Sequence, residues 1–268
     1  MPLAICATPI GNLEDVTLRV LDELRHADLV LCEDTRRTRI LLERHGIRAR
    51  LLSYHRHNEA ARAAEIVDRL RNGERVALVS DAGLPGVNDP GARLVAAAAA
   101  AGLGVTVLPG ASAVETALVA SGVGAARYQF VGYLPRRTAE LRTLAAELRG
   151  WPGAVVAFEA PRRLPSSLRV LAEELPERSA AVCRELTKLF EEVVRGPLTA
   201  LAEHFQEPPK GEITIVLGEP SNEDPQVGDA AHEAVVTLVE SGASRRTAAD
   251  VVSRLTGRPR NELYRGSL

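Results

Sequence analysis

Two periods alternate along the chain. Short apolar runs, "LAIC" from Leu3, "LVLCE" from Leu29, "RLLSY" from Arg50, "RVALVS" from Arg75 and "VTVLPG" from Val105, have little polar alternation. Such runs suit strands of a parallel sheet covered on both faces. Between them, "TLRVLDELRHA", "RTRILLERHG", "NEAARAAEIVDRLRNG", "PGARLVAAAAAAG" and "ASAVETALVASG" carry apolar residues at the spacing of amphipathic helices. Thr17, Thr35, Asn58 and Ser112 stand where these helices should start, with Gly46, Gly73, Gly102 and Gly122 where they should end. Pro90 falls in the predicted first turn of the fourth helix. Strand and helix in alternation predict an α/β domain over residues 1–125, with a mostly parallel sheet.

Near "GAARYQFVGYLPRR" the pattern changes. Strands and helices continue over 126–220, but proline is frequent and "FEEVVRG" reads as a hairpin partner, so the second α/β domain should hold a mixed sheet. "GEPSNEDPQVGD" reads as a polar linker, and residues 228–268 as a small helical C-terminal unit. In that tail Ala248, Val251, Val252 and Leu255 form the predicted buried stripe of a helix. Arg245, Arg246 and Arg254 are then left to solvent or phosphates.

Composition narrows the function. Aromatic residues make up only 3% of the chain, so stacking bases on exposed rings is not its main mode of binding. A net charge of −2 argues against a basic surface throughout and leaves focal patches. From residue 243 on, six arginines stand against Asp250 and Glu262, a local charge of +4. Cys6, Cys32 and Cys183 sit in apolar runs without metal or disulfide spacing, which fits reduced core thiols. No basic segment precedes "LAICATPIG" and no apolar run is long enough to span a bilayer, so the expected location is cytoplasmic, without membrane contact.

The common nucleotide fingerprints are missing: no G-x-G-x-x-G follows the first strand and no G-x-x-x-x-G-K-[ST] occurs. Metal-spaced His/Cys clusters are also missing. Three glycine- and proline-rich turns remain, "TPIGN", "SDAGLPGVNDPG" and "LPGASA", after the first, fourth and fifth predicted strands. In open α/β sheets ligands bind at the carboxyl ends of strands. Glycine lets main chain approach a ligand and proline stiffens the turn. Three such loops could share one cleft; each alone is also an ordinary turn.

These three loops together resemble the tetrapyrrole methylase superfamily of S-adenosylmethionine-dependent enzymes. The resemblance implies the class III methyltransferase fold: two α/β domains with the cofactor in the cleft between them. Further stretches, "EDTR" at Glu33, "HNE" at His57, "RELTK" at Arg184, "KGE" at Lys210 and the terminal "RNELYR", are similar to the branch that methylates the 2′-hydroxyl of a cytidine in 16S ribosomal RNA. Leu84 and Ala111 replace a threonine and a proline common in the superfamily. The resemblance implies that Ile10, Asp81, Gly83 and Leu84 hold the cofactor. Pro109, Ser112 and Ala113 would join them from the third loop, and Phe158, Leu186 and Gly211 from farther along. A homodimer is implied as well.

Charged candidates are read from position. Glu33 and Asp34, just past the second strand, suit proton transfer, with ordinary solvation as the alternative. Lys188 is notable because only it and Lys210 are lysines among 33 basic residues, and lysine can lose a proton where arginine cannot. Arg36, His57, Asn58, Arg162, Arg245 and Arg246 are the candidate RNA contacts, the doublets Arg136–Arg137 and Arg162–Arg163 being placed to receive phosphates. No metal is expected. Two other readings stay open: a small-molecule tetrapyrrole methylase, which would not need the basic tail, and a non-catalytic nucleic-acid binder whose tail is a helix-turn-helix.

Overall fold

The computed structural model describes residues 3–124, 126–176, 178–220, 225–256 and 258–266, with no side chains described at 225–229 or 266. Two compact units divide the chain. The first runs through Thr116 and takes in Leu186–Phe190; the second holds Ala117–Glu185 and the chain from Glu191 on.

In the first unit, β1 (Leu3–Cys6), α1 (Leu18–His26), β2 (Leu29–Cys32), α2 (Thr35–Arg44), β3 (Leu51–Ser53), α3 (Glu59–Arg71), β4 (Val76–Val79), α4 (Ala92–Ala100) and β5 (Val105–Leu108) alternate as expected. The strands are all parallel in the order β3-β2-β4-β1-β5. Successive side chains of a strand point to opposite faces, so each strand feeds two cores. Ala4, Cys6, Val30, Cys32, Ala77 and Val79 meet Val20, Leu21 and Leu24 of α1 and Leu42 of α2. Leu3, Ile5, Leu29, Leu31, Val76 and Leu78 meet Ile66 and Leu70 of α3 and Leu94 and Ala98 of α4. Both faces of β1, β2 and β4 are fully covered, which is why they read as continuous apolar runs; at the sheet edges β3 is only partly buried and Val107 of β5 is 51% exposed.

Two local expectations change. Asp34, not Thr35, caps α2: it stands in extended backbone one residue ahead of the helix, and its carboxylate accepts the Arg36 N–H at 2.9 Å. Pro90 lies ahead of α4, whose N-cap is Gly91 at φ 142°, so the proline closes the preceding loop.

α5 (Ala113–Ser121) carries the chain into the second unit. There β6 (Tyr128–Tyr133), α6 (Thr138–Arg149), β7 (Ala154–Glu159), α7 (Leu164–Glu174), β8 (Ser179–Arg184), β9 (Glu192–Pro197), α8 (Leu198–His204) and β10 (Ile213–Leu217) follow. The sheet order is β6-β7-β10-β8-β9; only β6 and β7 pair in parallel, and β8–β9 is the expected hairpin. Arg178, 5% exposed, donates to the carbonyls of Gly218 and Gly153 at 2.8 and 3.1 Å, satisfying main chain inside the core.

The predicted linker is shorter than its composition suggested. Residues 221–224 of it lie outside the described residues, and α9 (Pro225–Glu240) already begins at Pro225. With α10 (Arg245–Thr256) and α11 (Arg260–Gly266), α9 encloses a small core of Ala231, Val235, Ala248, Ala249, Val252 and Leu263. The buried stripe of α10 is therefore Ala248, Ala249 and Val252; Val251 and Leu255 are exposed, at 41% and 80%, because α9 and α11 approach the helix from the other side. No helix among the described residues is long and apolar enough to cross a membrane.

Candidate functional site at the carboxyl ends of the parallel strands

The three glycine- and proline-rich loops follow β1, β4 and β5, which are neighbours in the sheet. Past the strand ends, Thr8 N–H donates to the Gly83 carbonyl at 2.8 Å and Gly83 N–H returns a bond to the Thr8 carbonyl at 3.0 Å. The Thr8 hydroxyl, 4% exposed with its residue, donates to the Ser80 carbonyl at 3.0 Å. The first and second loops are thus zipped together. The third joins at glycines: a Cβ on Gly110 would lie 2.9 Å from the Ala7 Cβ, and one on Gly83 would meet the Ala111 carbonyl at 3.7 Å and Ile10 at 3.8 Å. Gly83, Gly86 and Asn88 adopt φ of 79°, 87° and 64°, which turns the second loop repeatedly in a few residues.

A fourth segment meets the first loop. In Leu186–Phe190, Thr187 stands at φ 67° and its hydroxyl accepts the Asn12 N–H at 3.1 Å. Gly11 permits the contact: a Cβ there would fall 2.6 Å from Lys188 Cγ and 2.9 Å from the Leu186 carbonyl oxygen. Ile10 and Leu186, each 7% exposed, are buried apolar positions on these two segments. Of the expected cofactor residues, Ile10, Asp81, Gly83, Leu84, Pro109, Ser112, Ala113 and Leu186 all belong to this first unit. Ser112 takes the position before α5, its carbonyl accepting the Thr116 N–H at 3.0 Å and its hydroxyl bonded to Glu115.

Phe158 and Gly211 belong to the second unit. Phe158, half-buried, is held edge-on by Phe130 and Tyr133 with centroids 4.8 and 5.6 Å away. Gly211, at φ 97°, passes so close to Glu185 that a Cβ would come within 2.3 Å of its Cγ. Glu185 in turn accepts the Glu212 N–H at 3.0 Å.

The acidic candidates differ from one another in environment. Asp34 accepts two hydrogen bonds from the Arg36 guanidinium, at 3.0 and 2.7 Å, besides its cap. Those bonds hold its carboxyl down to about 2, so it is a poor proton acceptor near neutrality. Asp81 accepts the Asp34 N–H at 3.0 Å and lies 3.7 Å from Arg37, fastening the loop after β2 to the loop after β4. Burial, with Asp81 nearby, pushes Glu33 up; Arg56, His55 and Arg37 oppose the shift. Asp89, which the sequence reading passed over, is pushed up to about 6 by burial, then by Glu33 and Asp81, against Arg56. The signal for Asp89 was faint: it lies inside the second loop, but its closeness to Glu33 is a tertiary fact.

Several basic or polar candidates are already occupied. Asn58 accepts the His55 N–H at 2.8 Å and donates to the Ser53 carbonyl at 3.1 Å, closing the turn after β3. Arg163 donates to the carbonyls of Leu134 and Pro135, both at 2.8 Å, and pairs with Glu159 at 2.9 Å, so the expected phosphate contact at that residue gives way to a structural one. Its neighbour Arg162, like His57, Arg36 and Arg246, is exposed. Arg245 is half-exposed, and Arg254 pairs with Asp250 at 2.7 Å.

The family model for Tetrapyrrole (Corrin/Porphyrin) Methylases matches residues 2–202. The chain belongs to the tetrapyrrole methylase family. It is 43% identical over 266 residues to "Ribosomal RNA small subunit methyltransferase I" of Mesorhizobium japonicum, covering 98% of this chain and 90% of that protein. The relative of the same name from Thermotoga maritima is 44% identical over 219 residues, 97% of its length but 80% of this chain. Among solved structures, the methyltransferase CobJ superposes with a TM-score of 0.61 at 21% identity, covering 81% of this chain and 93% of that one, a likeness of fold.

The three loops suit the methyl donor of the tetrapyrrole methylases. Main chain at Thr8, Gly83 and Ala111 comes together where Gly83 and Gly110 carry no side chain, an arrangement in which backbone groups are open to a small polar ligand.

Proposed function

We propose that this chain is the enzyme that transfers the methyl of S-adenosylmethionine to the 2′-hydroxyl of a cytidine in 16S ribosomal RNA. The observation that carries the reading is the joining of the loops after β1, β4 and β5 around Gly83 and Gly110, in a chain so similar over nearly its whole length to a named ribosomal RNA methyltransferase. The donor, when bound, supplies an electrophilic methyl on sulfonium.

The chain's own residues bind and orient. Ile10 and Leu186 offer apolar surface to the methionine part, while Gly83, Leu84, Pro109, Ser112 and Ala113 present main chain. Phe158 and Gly211 are also among the proposed cofactor contacts. Asp81 holds the loops in register through Asp34 and Arg37. Fixing the ribose oxygen at about 3–3.5 Å from its target removes several kcal/mol of the barrier by orientation alone. Lys188, whose Cγ lies against Gly11, is a candidate proton acceptor, and Arg36, His57, Arg162, Arg245 and Arg246 are the proposed RNA contacts. The protein acts as a cytoplasmic homodimer, since a folded RNA needs a wider basic surface than one protomer's scattered arginines provide.

Two measurements test the reading. Calorimetry should show S-adenosylmethionine binding at about one site per chain, and mass mapping of 16S RNA in small subunits, taken from cells lacking the enzyme and treated with it, should gain one 2′-O-methylcytidine. Methylation of a tetrapyrrole with no mark on the RNA would overturn it.

A further inference from the structure

Resting on that reading, we propose that Asp89 is the group that accepts the ribose 2′-hydroxyl proton, with Glu33 as the residue that positions and sustains it in that role. Asp89 and Glu33 come from loops after β4 and β2, adjacent strands, and each is half-buried. Of the three carboxylates gathered here, Asp81 is bonded to Asp34 and Arg37. Asp89 and Glu33 form no hydrogen bond or ion pair among the described residues, a costly state for half-buried carboxylates unless a ligand supplies the donor.

The loop holds Asp89 in place. Asn88 is in the left-handed region at φ 64°, and its carbonyl accepts a hydrogen bond from the Arg56 guanidinium. An independent observation points the same way: His55 Nδ1, beside Glu33, is shut off from solvent without a partner. Its other ring nitrogen meets the Asn58 amide at 3.3 Å, so the orphaned Nδ1 beside the unpartnered Glu33 is left for a polar ligand. The charged groups around Asp89 are Glu33 and Asp81, which disfavour its ionised form, and Arg56, which favours it; Arg37 and His55 act on Glu33.

In the step, the O–H bond of the ribose breaks and its proton passes to a carboxylate oxygen of Asp89. The ribose oxygen keeps the electron pair and forms the O–CH3 bond as the C–S bond breaks, that pair staying on sulfur and cancelling the sulfonium charge. Asp89 then releases its proton to water. A carboxylate titrating at about 6 is a stronger base than an ordinary one and is still ionised at neutral pH.

The test is single-turnover methyl transfer to small subunits as a function of pH, beside calorimetric S-adenosylmethionine binding and carboxyl NMR titration of the full-length protein. For the parent protein the rate should rise with unit slope and level off above a midpoint near the Asp89 value of about 6. Asp89→Asn should lose about 100-fold or more in rate with cofactor affinity within about two-fold. Glu33→Gln should move the rate midpoint and the Asp89 carboxyl resonance together to lower pH, since a like charge is removed. A merely structural role for Glu33 would move neither. Asp89→Asn keeping more than about a tenth of the parent rate, or a midpoint unmoved in Glu33→Gln, would overturn the proposal; an abolished rate in Lys188→Arg alone would hand the proton to Lys188. Failure of the parent protein to methylate RNA would instead strike the underlying reading, with the NMR shift still separately measurable.

Discussion

One missing carbon sets how the first loop meets Leu186–Phe190. Gly11→Ala puts a methyl 2.6 Å from Lys188 Cγ and 2.9 Å from the Leu186 carbonyl oxygen; the lysine chain can swing away but the main chain cannot. Overpacking of this kind costs about 1–3 kcal/mol, so the variant should melt earlier and bind S-adenosylmethionine more weakly, as thermal denaturation and calorimetry would report. Asp89 carries a second prediction at this scale. Its folded value of about 6 lies above the ordinary 3.8, so the folded state prefers the protonated form. That preference contributes stability below about pH 3.8, and the contribution is lost as pH rises through about 6. Asp89→Asn should therefore raise the melting temperature at pH 8 and leave it nearly unchanged at pH 4. Equal shifts at both pH values would show that Asp89 is not held up by burial and its acidic neighbours.

Among the elements, α10 separates packing from surface. Val252 is 3% exposed and Leu255 80%, although both belong to one apolar series in the sequence. Val252→Ala should cost about 1–3 kcal/mol and Leu255→Ala under about 0.5 kcal/mol in denaturant unfolding. The surface of α10 and α11 also has an electrostatic logic. Asp250 and Glu262 pair with Arg254 and Arg258, while Arg245, Arg246, Arg260 and Arg265 make no ion pair among the described residues. Arg245 and Arg246 open α10, where the helix dipole disfavours cations, so helix stability does not call for them. Because α9 to α11 have their own core, a chain ending at residue 220, ahead of α9, is the cut that spares it; Gly228 lies within α9. That shortened chain should bind S-adenosylmethionine within about two-fold of the full chain. It should bind 16S RNA more weakly and with a smaller salt dependence, since fewer phosphate counterions are released. An unchanged salt slope would assign the tail to packing.

For the molecule as a whole, a net charge of −2 and a proposed RNA substrate are compatible only if positive charge is gathered locally. The tail arginines without an ion pair among the described residues do this within one chain, and dimerisation would repeat the arrangement. Sedimentation at micromolar concentration should give twice the chain mass; a monomer would remove the homodimer from the proposal.

The two periods of apolar residues by themselves determined the parallel sheet of the first unit and the mixed sheet of the second. A strand covered on both faces must be apolar throughout, and a helix covered on one face must be apolar every third or fourth residue. The glycine and proline turns likewise marked the candidate site, because few other residues tolerate φ values such as those at Gly83 and Gly86. Only the tertiary structure decided which charges matter. Glu33 and Asp34 are neighbours in the chain with opposite shifts, one pushed up by burial, the other held down by Arg36. Asp89 acquires its character from Glu33, 56 positions away, across adjacent strands whose pairing no local pattern encodes. A carboxylate's proton affinity is set by the solvent and charges within a few ångströms, and those are chosen by the fold, not by sequence neighbours.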